Sequence, residues 1–331
     1  MDKLTTREAM FYHIDAEGVA HCELCPNDCR IKVGESGRCR SRANIDGKLM
    51  VANYAKTIGV ALDPIEKKPL YHFKPGSRIV SLGANSCNLD CFFCQNFVSS
   101  QEECLTRLIP PLDLLDLVNE SGSRQVAFTY TEPFTWYEYI YDFAMLDSEV
   151  DIILVTNGYV NPQPLKQLLP YIKAMNIDLK SSRNAFYRQH CHGALEPVKY
   201  TIRNAYASGV HIEITNLIIP ELNDSDDQIR ELAVYIASVD RSIPLHESAY
   251  HPAYKSTIEA TPADTIIRGC NIAAEYLDYV YAGNLNLGSF KDTLCPQCHA
   301  VCVSRSGFGV VSKIGDGGIC PSCGNRIRGV F

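Results

Sequence analysis

Three cysteines, Cys87, Cys91 and Cys94, stand in a C-x3-C-x2-C spacing within Cys87-Asn88-Leu89-Asp90-Cys91-Phe92-Phe93-Cys94. Thiolate is the usual ligand of iron in iron–sulfur clusters, so three closely spaced thiolates suit three corners of a cubane. A structural zinc site would want a fourth ligand, and such ligands usually arrive as two C-x2-C pairs. The missing fourth ligand leaves one iron open to something exchangeable. The alternative is a set of buried, unpaired thiols, and three cysteines in eight residues after an apolar run weigh against it.

Two further cysteine groups flank this loop. Cys22, Cys25, Cys29 and Cys39 follow a C-x2-C-x3-C-x9-C spacing in a turn-rich segment too short to build a core of its own. A bound metal would supply the missing stability, and four thiolates close either a zinc site or a second cluster. Spacing leaves the metal open. Near the other end, Cys295-Pro296-Gln297-Cys298 and Cys320-Pro321-Ser322-Cys323 enclose 21 residues with glycine-rich turns. Two such knuckles read as a zinc ribbon, with Cys302 as a possible substitute ligand. The isolated Cys104, Cys191 and Cys270 read as small core hydrophobes.

The composition fits this metal-centred reading. The chain has 331 residues, 46% of them hydrophobic and 21% charged, with a net charge of −7. That length holds one large domain with small appendages. With no polybasic surface, nucleic acid is not expected as a main partner. No apolar run reaches membrane-spanning length, and the start (Met1-Asp2-Lys3-Leu4-Thr5) lacks a signal-peptide pattern. Fifteen cysteines in such a chain suggest metal rather than disulfides, in a reducing cytoplasm.

The elements that must position the central loop begin with an apolar run from Arg78 to Gly83, read as the strand that delivers it. From there to about residue 285, strands and helices alternate, which argues for parallel βα units. Strands are expected at Val126 to Tyr130, Asp151 to Thr156, Ala174 to Leu179, His211 to Ile219 and Leu245 to Tyr250, with an edge piece at Tyr279 to Leu285. Helices are expected at Trp136 to Leu146, after Asn161-Pro162, over 195–208, at Asp226 to Ala237 and at Thr261 to Leu277. Six to seven repeats are too few for a closed eight-stranded barrel, so the expected fold is α/β, an open (β/α)6 barrel. The expected layout is a Cys-rich N-terminal metal-binding segment (1–50), a partial barrel (51–290) and a zinc-ribbon module (291–331). The run from Asp63 to Leu70 reads as a solvated connector with salt-bridging charges.

Functional residues of parallel βα barrels cluster where strands end. Those ends carry Thr131-Glu132-Pro133, Thr156-Asn157-Gly158, Asp178-Leu179-Lys180 and, on the sixth strand, His246 and His251. Glu132 reads either as a helix N-terminal carboxylate or as an acceptor for a ligand ammonium. Asn157-Gly158 is a common turn, and Asp178 with Lys180 forms an ordinary salt bridge unless a ligand meets it.

With these motifs in place, the chain resembles the radical S-adenosylmethionine (SAM) enzymes. The approach Asp63-Pro64-Ile65-Glu66-Lys67-Lys68-Pro69-Leu70, followed by the loop from Cys87 to Asn96, is similar to one subgroup. That subgroup contains relatives of pyruvate formate-lyase activating enzyme and the radical SAM member of the AmmeMemoRadiSam system. The resemblance implies a [4Fe-4S] cluster on Cys87, Cys91 and Cys94 whose open iron takes the amino and carboxylate groups of SAM. Reductive cleavage of SAM to a 5'-deoxyadenosyl radical and hydrogen abstraction from a substrate would follow. It implies SAM contacts at Phe93, Thr131, Glu132, Asn157, Gly158, Asp178 and Lys180, with no catalytic residue beyond the cluster. Thr131 and Glu132 replace the glycines of the family's GGE motif only in part. The implied partners are Memo-like and AMME-type proteins and an electron donor. Two other readings stand beside this one: an activating enzyme for a glycyl-radical enzyme, and a non-catalytic iron–sulfur carrier.

Overall fold

The computed structural model describes residues 7–331 apart from 147, 148, 286, 289, 308 and 316. The chain start read above for a signal pattern, Met1 to Thr5, lies outside the described residues.

Seven parallel strands form the centre: β2 (Arg78–Ala84), β3 (Gln125–Phe128), β4 (Asp151–Thr156), β5 (Ile172–Asp178), β6 (His211–Ile218), β7 (Leu245–Ala249) and β8 (Val280–Gly283). They lie side by side in chain order, and β1 (Lys56–Pro64) adds antiparallel to β2. Six helices alternate with the parallel strands: α1 (Pro111–Ser121), α2 (Tyr137–Ala144), α3 (Pro162–Leu168), α4 (Leu195–Ala207), α5 (Asp226–Asp240) and α6 (Ala263–Ala274). Six βα units with a closing edge strand are the expected open barrel. Strands buried on both faces need near-continuous apolar runs, and Ile152-Ile153-Leu154 in β4 is such a run. Local chemistry sets the helix ends. Ser225 caps α5 by accepting from Gln228 N, and Gly122 at φ 70° closes α1. The sequence reading gave no place to α1, whose opening Pro111 occupies a first helical turn, where proline is favoured.

Seven strands leave the barrel open, and its floor is filled by a segment expected to be solvated. Ala127 and Ala174 are small inward residues on β3 and β5, and the space beside them is taken by Ile65, Leu70 and Phe73. Fully burying a side chain of that size contributes about 1.5–3 kcal/mol. Asp63 and Lys68 are buried too and bonded to each other, Lys68 Nζ to Asp63 Oδ2 at 2.8 Å. The expected connector is therefore a plug. Apolar residues inside the charge run carry it into the barrel, and its charges pair as they go in.

One buried carboxylate fastens this plug. Glu213 on β6 accepts from Tyr71 N (3.0 Å), His72 N (2.7 Å), His211 Nε2 (3.0 Å) and His246 Nε2 (2.7 Å). Burial would raise its pKa, but the two histidines hold it well below the usual range. His246 is thus a buried structural residue, and His251 is exposed.

The end segments pack onto this body. The N-terminal segment, built on two three-stranded antiparallel sheets, sends Ala20, Leu24, Ile31, Leu49 and Val51 into the same core as the barrel. Its buried Arg42 pairs with Glu138 of α2 at 2.6 Å. The C-terminal segment forms a three-stranded antiparallel sheet of Thr293–Leu294, Val301–Ser306 and Gly309–Ser312. It docks through Arg305 Nη2 to Tyr71 O (2.7 Å) and His72 Nδ1 to Arg328 O (2.6 Å). Among the described residues no helix is long and apolar enough to cross a membrane.

Glu213→Ala would strand four buried donors. It should destabilise the protein by roughly 3–5 kcal/mol, as the loss of one partner of a buried charged network does. Chemical denaturation reads this directly, and a change within about 0.5 kcal/mol, typical of a surface site, would show that the node is not structural.

Candidate active site

The cluster loop leaves β2 at Ala84, where chain and neighbour pass too closely for a side chain. A Cβ on Gly83 would stand 2.3 Å from Thr129 O. The loop is then held from several directions. Asp90 N donates to Cys191 O (3.1 Å), Phe92 N to His190 O (3.3 Å) and Lys255 N to Phe92 O (3.0 Å). Asn88 donates through Nδ2 to Tyr159 O (2.7 Å), and Asn27 Nδ2 donates to Asn88 O (2.7 Å). Tyr187–Cys191 is a single π-helical turn, a local irregularity common beside functional sites. It sets Cys191 against Cys91, so a cysteine read as plain core lies beside the loop. Phe93 is buried against Phe186, ring centroids 5.8 Å apart.

Cys87, Cys91 and Cys94 face a cavity of about 320 Å3 at the C-terminal ends of the parallel strands. Glu132, Asn157 and the pair Asp178 and Lys180, from three successive strand ends or the turns after them, line the same space with Phe93 and Thr131. Among the described residues, the three sulfurs are not all within 4.8 Å of one another. A single ion would draw them closer; separate irons would not. Two amide donors already point at one of them, Leu89 N (3.5 Å) and Asn157 Nδ2 (3.7 Å) to Cys87 Sγ.

Glu132 is the N-terminal carboxylate that the sequence allowed, and it also lines the cavity. Its carboxylate caps the 3-10 turn Pro133–Trp136 by accepting from Phe134 N (3.0 Å), and it also accepts from Thr156 Oγ1 (2.7 Å) and Asn157 N (2.8 Å). Burial nevertheless outweighs these bonds and raises its pKa to about 7. Lys180 Nζ donates to Asp178 Oδ2 at 2.9 Å. Burial lowers the Lys180 pKa, but Asp178 and the neighbouring thiols more than offset this and hold it well above its usual value. Gly158 does not line the cavity. Its φ of 68° makes the turn, and a Cβ there would meet Ile177 Cγ2 at 3.0 Å.

The plug also reaches this cavity, through Lys67, Lys68 and Pro69. Asp63 accepts from Lys68, from Lys67 Nζ (3.1 Å) and from Tyr130 OH (2.9 Å), which pull its pKa down to about 2 against the effect of burial. Lys68 Nζ lies 4.5 Å from the Tyr130 ring centroid. Sequence reasoning missed Lys67, Lys68, Tyr130, Thr215, Ser248 and Asn284 as cavity residues. For the two lysines the signal was present, since the motif containing them had been singled out.

The terminal cysteine groups differ from each other in geometry. Cys295, Cys298, Cys320 and Cys323 place their sulfurs within 4.8 Å of one another, with Cys295–Cys323 at 3.6 Å and Cys298–Cys320 at 3.8 Å. A tetrahedral zinc with bonds of about 2.3 Å separates its sulfurs by about 3.8 Å, so this donor set fits zinc. Cys302 lies outside the four. Cys22, Cys25, Cys29 and Cys39 also come together, around a small cavity of their own.

The raised pKa of Glu132 carries a sign that can be tested without ligand. A carboxyl raised from 4.5 to about 7 stabilises the fold below the lower value, and that stability is lost as pH rises through the higher one. Glu132→Gln should flatten this fall, whatever its effect on absolute stability. Thermal unfolding of both proteins from about pH 5 to 8 checks it, and parallel curves would mean that the carboxyl ionises freely.

Comparison with known proteins agrees with this geometry. The model of the radical SAM superfamily matches residues 82–233. An uncharacterized protein of Methanocaldococcus jannaschii is 38% identical over 97% of this chain and 98% of its own length. The GTP 3',8-cyclase of Helicobacter pylori is 25% identical over 73% of this chain and 74% of its own. A radical SAM methyltransferase structure from Sphaerobacter thermophilus superimposes with a TM-score of 0.51 at 16% identity, covering 64% of this chain and 68% of that one. SuiB of Streptococcus suis bound to S-adenosylmethionine gives 0.52 at 16%, covering 70% and 55%. At such identities the two structures speak for the fold alone. From the matched family and the strand-mouth cavity together, residues 82–233 carry a radical SAM domain, whose fold implies a [4Fe-4S] cluster and SAM.

Proposed function

We propose that this chain is a radical SAM enzyme of the AmmeMemoRadiSam type. In this reading it cleaves SAM reductively and abstracts hydrogen from a protein, or from a substrate that a partner presents. The observation that carries the SAM-cleaving part is the convergence of Cys87, Cys91, Cys94, Glu132, Asn157, Asp178 and Lys180 on one cavity. The donor set fits the cofactors: three thiols spread beyond single-ion spacing, a carboxylate and an ammonium on the walls, and no nearby fourth cysteine from the loop.

When bound, the cluster supplies the electron that breaks a carbon–sulfur bond of SAM and so generates the 5'-deoxyadenosyl radical. The protein's share is placement and exclusion of water. Cys87, Cys91 and Cys94 hold the cluster, and Asn157 Nδ2 donates to the first of them. Glu132 would accept a hydrogen bond from the SAM amino group whose nitrogen ligates the open iron, and as the ionised carboxylate it would also answer the positive charge of the sulfonium. Lys180, oriented by its bond to Asp178, would face the SAM carboxylate. The plug beneath, with Lys68 locked to Asp63, closes the floor. The partner reading rests on the resemblance to the AmmeMemoRadiSam member, and the expected partners are Memo-like and AMME-type proteins and an electron donor.

Two experiments test this reading. The Cys87/Cys91/Cys94→Ala variant should lose SAM cleavage altogether, and retained 5'-deoxyadenosine production would refute the site. For the substrate, the purified enzyme alone should produce 5'-deoxyadenosine slowly and uncoupled. Adding the partner proteins should speed cleavage and move deuterium from labelled substrate into 5'-deoxyadenosine. Coupled turnover of a free metabolite by this chain alone would contradict the partner reading.

A further inference from the structure

We propose that Cys22, Cys25, Cys29 and Cys39 hold a second iron–sulfur cluster, set beside the cluster loop and passing electrons to it. The four thiols, from the strand end at Cys22, the two sides of the turn between Cys25 and Cys29, and a later turn at Cys39, are free of disulfides and line one small cavity together with Arg42 and Asn88.

Sulfur spacing separates iron–sulfur from zinc. The ribbon sulfurs stand 3.6 and 3.8 Å apart in pairs and all within 4.8 Å, as one tetrahedral ion requires. Among the described residues, no three of the N-terminal sulfurs lie within 4.8 Å of one another. Thiolates that cap different irons of a cluster stand farther apart than thiolates sharing one ion. The N-terminal tetrad therefore follows the pattern of Cys87, Cys91 and Cys94, not that of the ribbon.

A second observation concerns Arg42, fully buried on the cavity wall. Its Nη1 donates to Met10 O (2.7 Å) and its Nη2 to Glu138 Oε1 (2.6 Å), but Nε has no hydrogen-bond partner. A buried N–H without an acceptor is costly. The sulfurs of a cluster are acceptors, and a hydrogen bond with a nearby positive charge is a recognised means of setting a cluster's potential.

The position supports a relay. Asn88 lines the tetrad cavity and is the residue after Cys87. It is held from the tetrad side by Asn27 Nδ2 on its carbonyl, and from the other side by Asn157 Nδ2 on its Oδ1 (2.9 Å), a group that also reaches Cys87 Sγ. A low-potential donor of the ferredoxin or flavodoxin class gives one electron to the tetrad cluster. That cluster is reoxidised as the loop cluster is reduced by the same electron, and no proton moves. The relay rests on the reading of the loop given above; the presence of a second cluster does not.

The test uses full-length protein reconstituted anaerobically with iron and sulfide. Cys25→Ala/Cys29→Ala should carry roughly two to four iron fewer than wild type, with zinc unchanged. The Cys87/Cys91/Cys94→Ala variant should keep that iron and show its electron paramagnetic resonance signal after dithionite reduction. Reduced wild type should show broadening from coupling between two clusters, absent from both variants. Loss of zinc with iron unchanged in Cys25→Ala/Cys29→Ala would overturn the cluster, and uncoupled wild-type spectra would overturn the relay. If a variant fails to fold, wild type decides: only about four iron per chain would overturn the proposal. A second cluster in a wild-type protein that cleaves no SAM would sink the proposed function and leave this inference standing.

Discussion

A parallel barrel that stops at seven strands has an interior that neighbouring strands do not seal, and much of this molecule answers that constraint. The floor is closed by the segment after β1, which drives Ile65, Leu70 and Phe73 against the small inward residues Ala127 and Ala174. Backbone amides at Tyr71 and His72 would be left without partners there, and Glu213 receives both, together with bonds from His211 and His246. The same segment cannot avoid carrying Lys67 and Lys68 to the underside of the cavity, so sealing the barrel and charging the site are one structural act. The ribbon continues this work, stacking Arg305 on Tyr71 at 4.1 Å and joining Thr293 to Tyr281.

The polar mouth sits above that floor because each strand ends in a short, fixed turn. Glu132 holds the turn of β3 to that of β4 through Thr156 and Asn157, and Asn157 in turn holds Asn88 of the cluster loop. The loop is thereby referenced to two strand ends by hydrogen bonds between fixed groups. Three cysteine sets then hang on one scaffold with two different spacings. The close spacing of the ribbon fits one ion, and among the described residues the other two sets do not share that spacing.

Much of this was legible in the sequence. Strand ends fell within two residues of expectation because β-branched runs ended at polar or glycine turns, as at Thr156-Asn157-Gly158. Cys87, Cys91 and Cys94 were singled out by type and spacing, and Glu132, Asn157 and Lys180 by their strand-end places and the resemblance; all six line one cavity. The plug was misread because Asp63, Lys67 and Lys68 look solvated in one dimension, and only the fold reveals that they pair with one another and with Tyr130. Gly158 was assigned to the ligand when its left-handed backbone is what the turn needs. Cys191 carried no local signal, since only the π-helical turn of 187–191 brings it to Cys91. Spacing along the chain left the metal of the tetrad open, because four thiolates close a zinc site or a cluster alike.

The central claim is that SAM binds within this cavity at the cluster held by Cys87, Cys91 and Cys94. The most direct measurement is electron–nuclear double resonance on the reduced protein mixed with SAM labelled at its amino nitrogen. The account predicts a hyperfine coupling between that nitrogen and the cluster spin, strong enough to require a direct bond to iron. A bound SAM whose nitrogen shows no coupling to the cluster would contradict it.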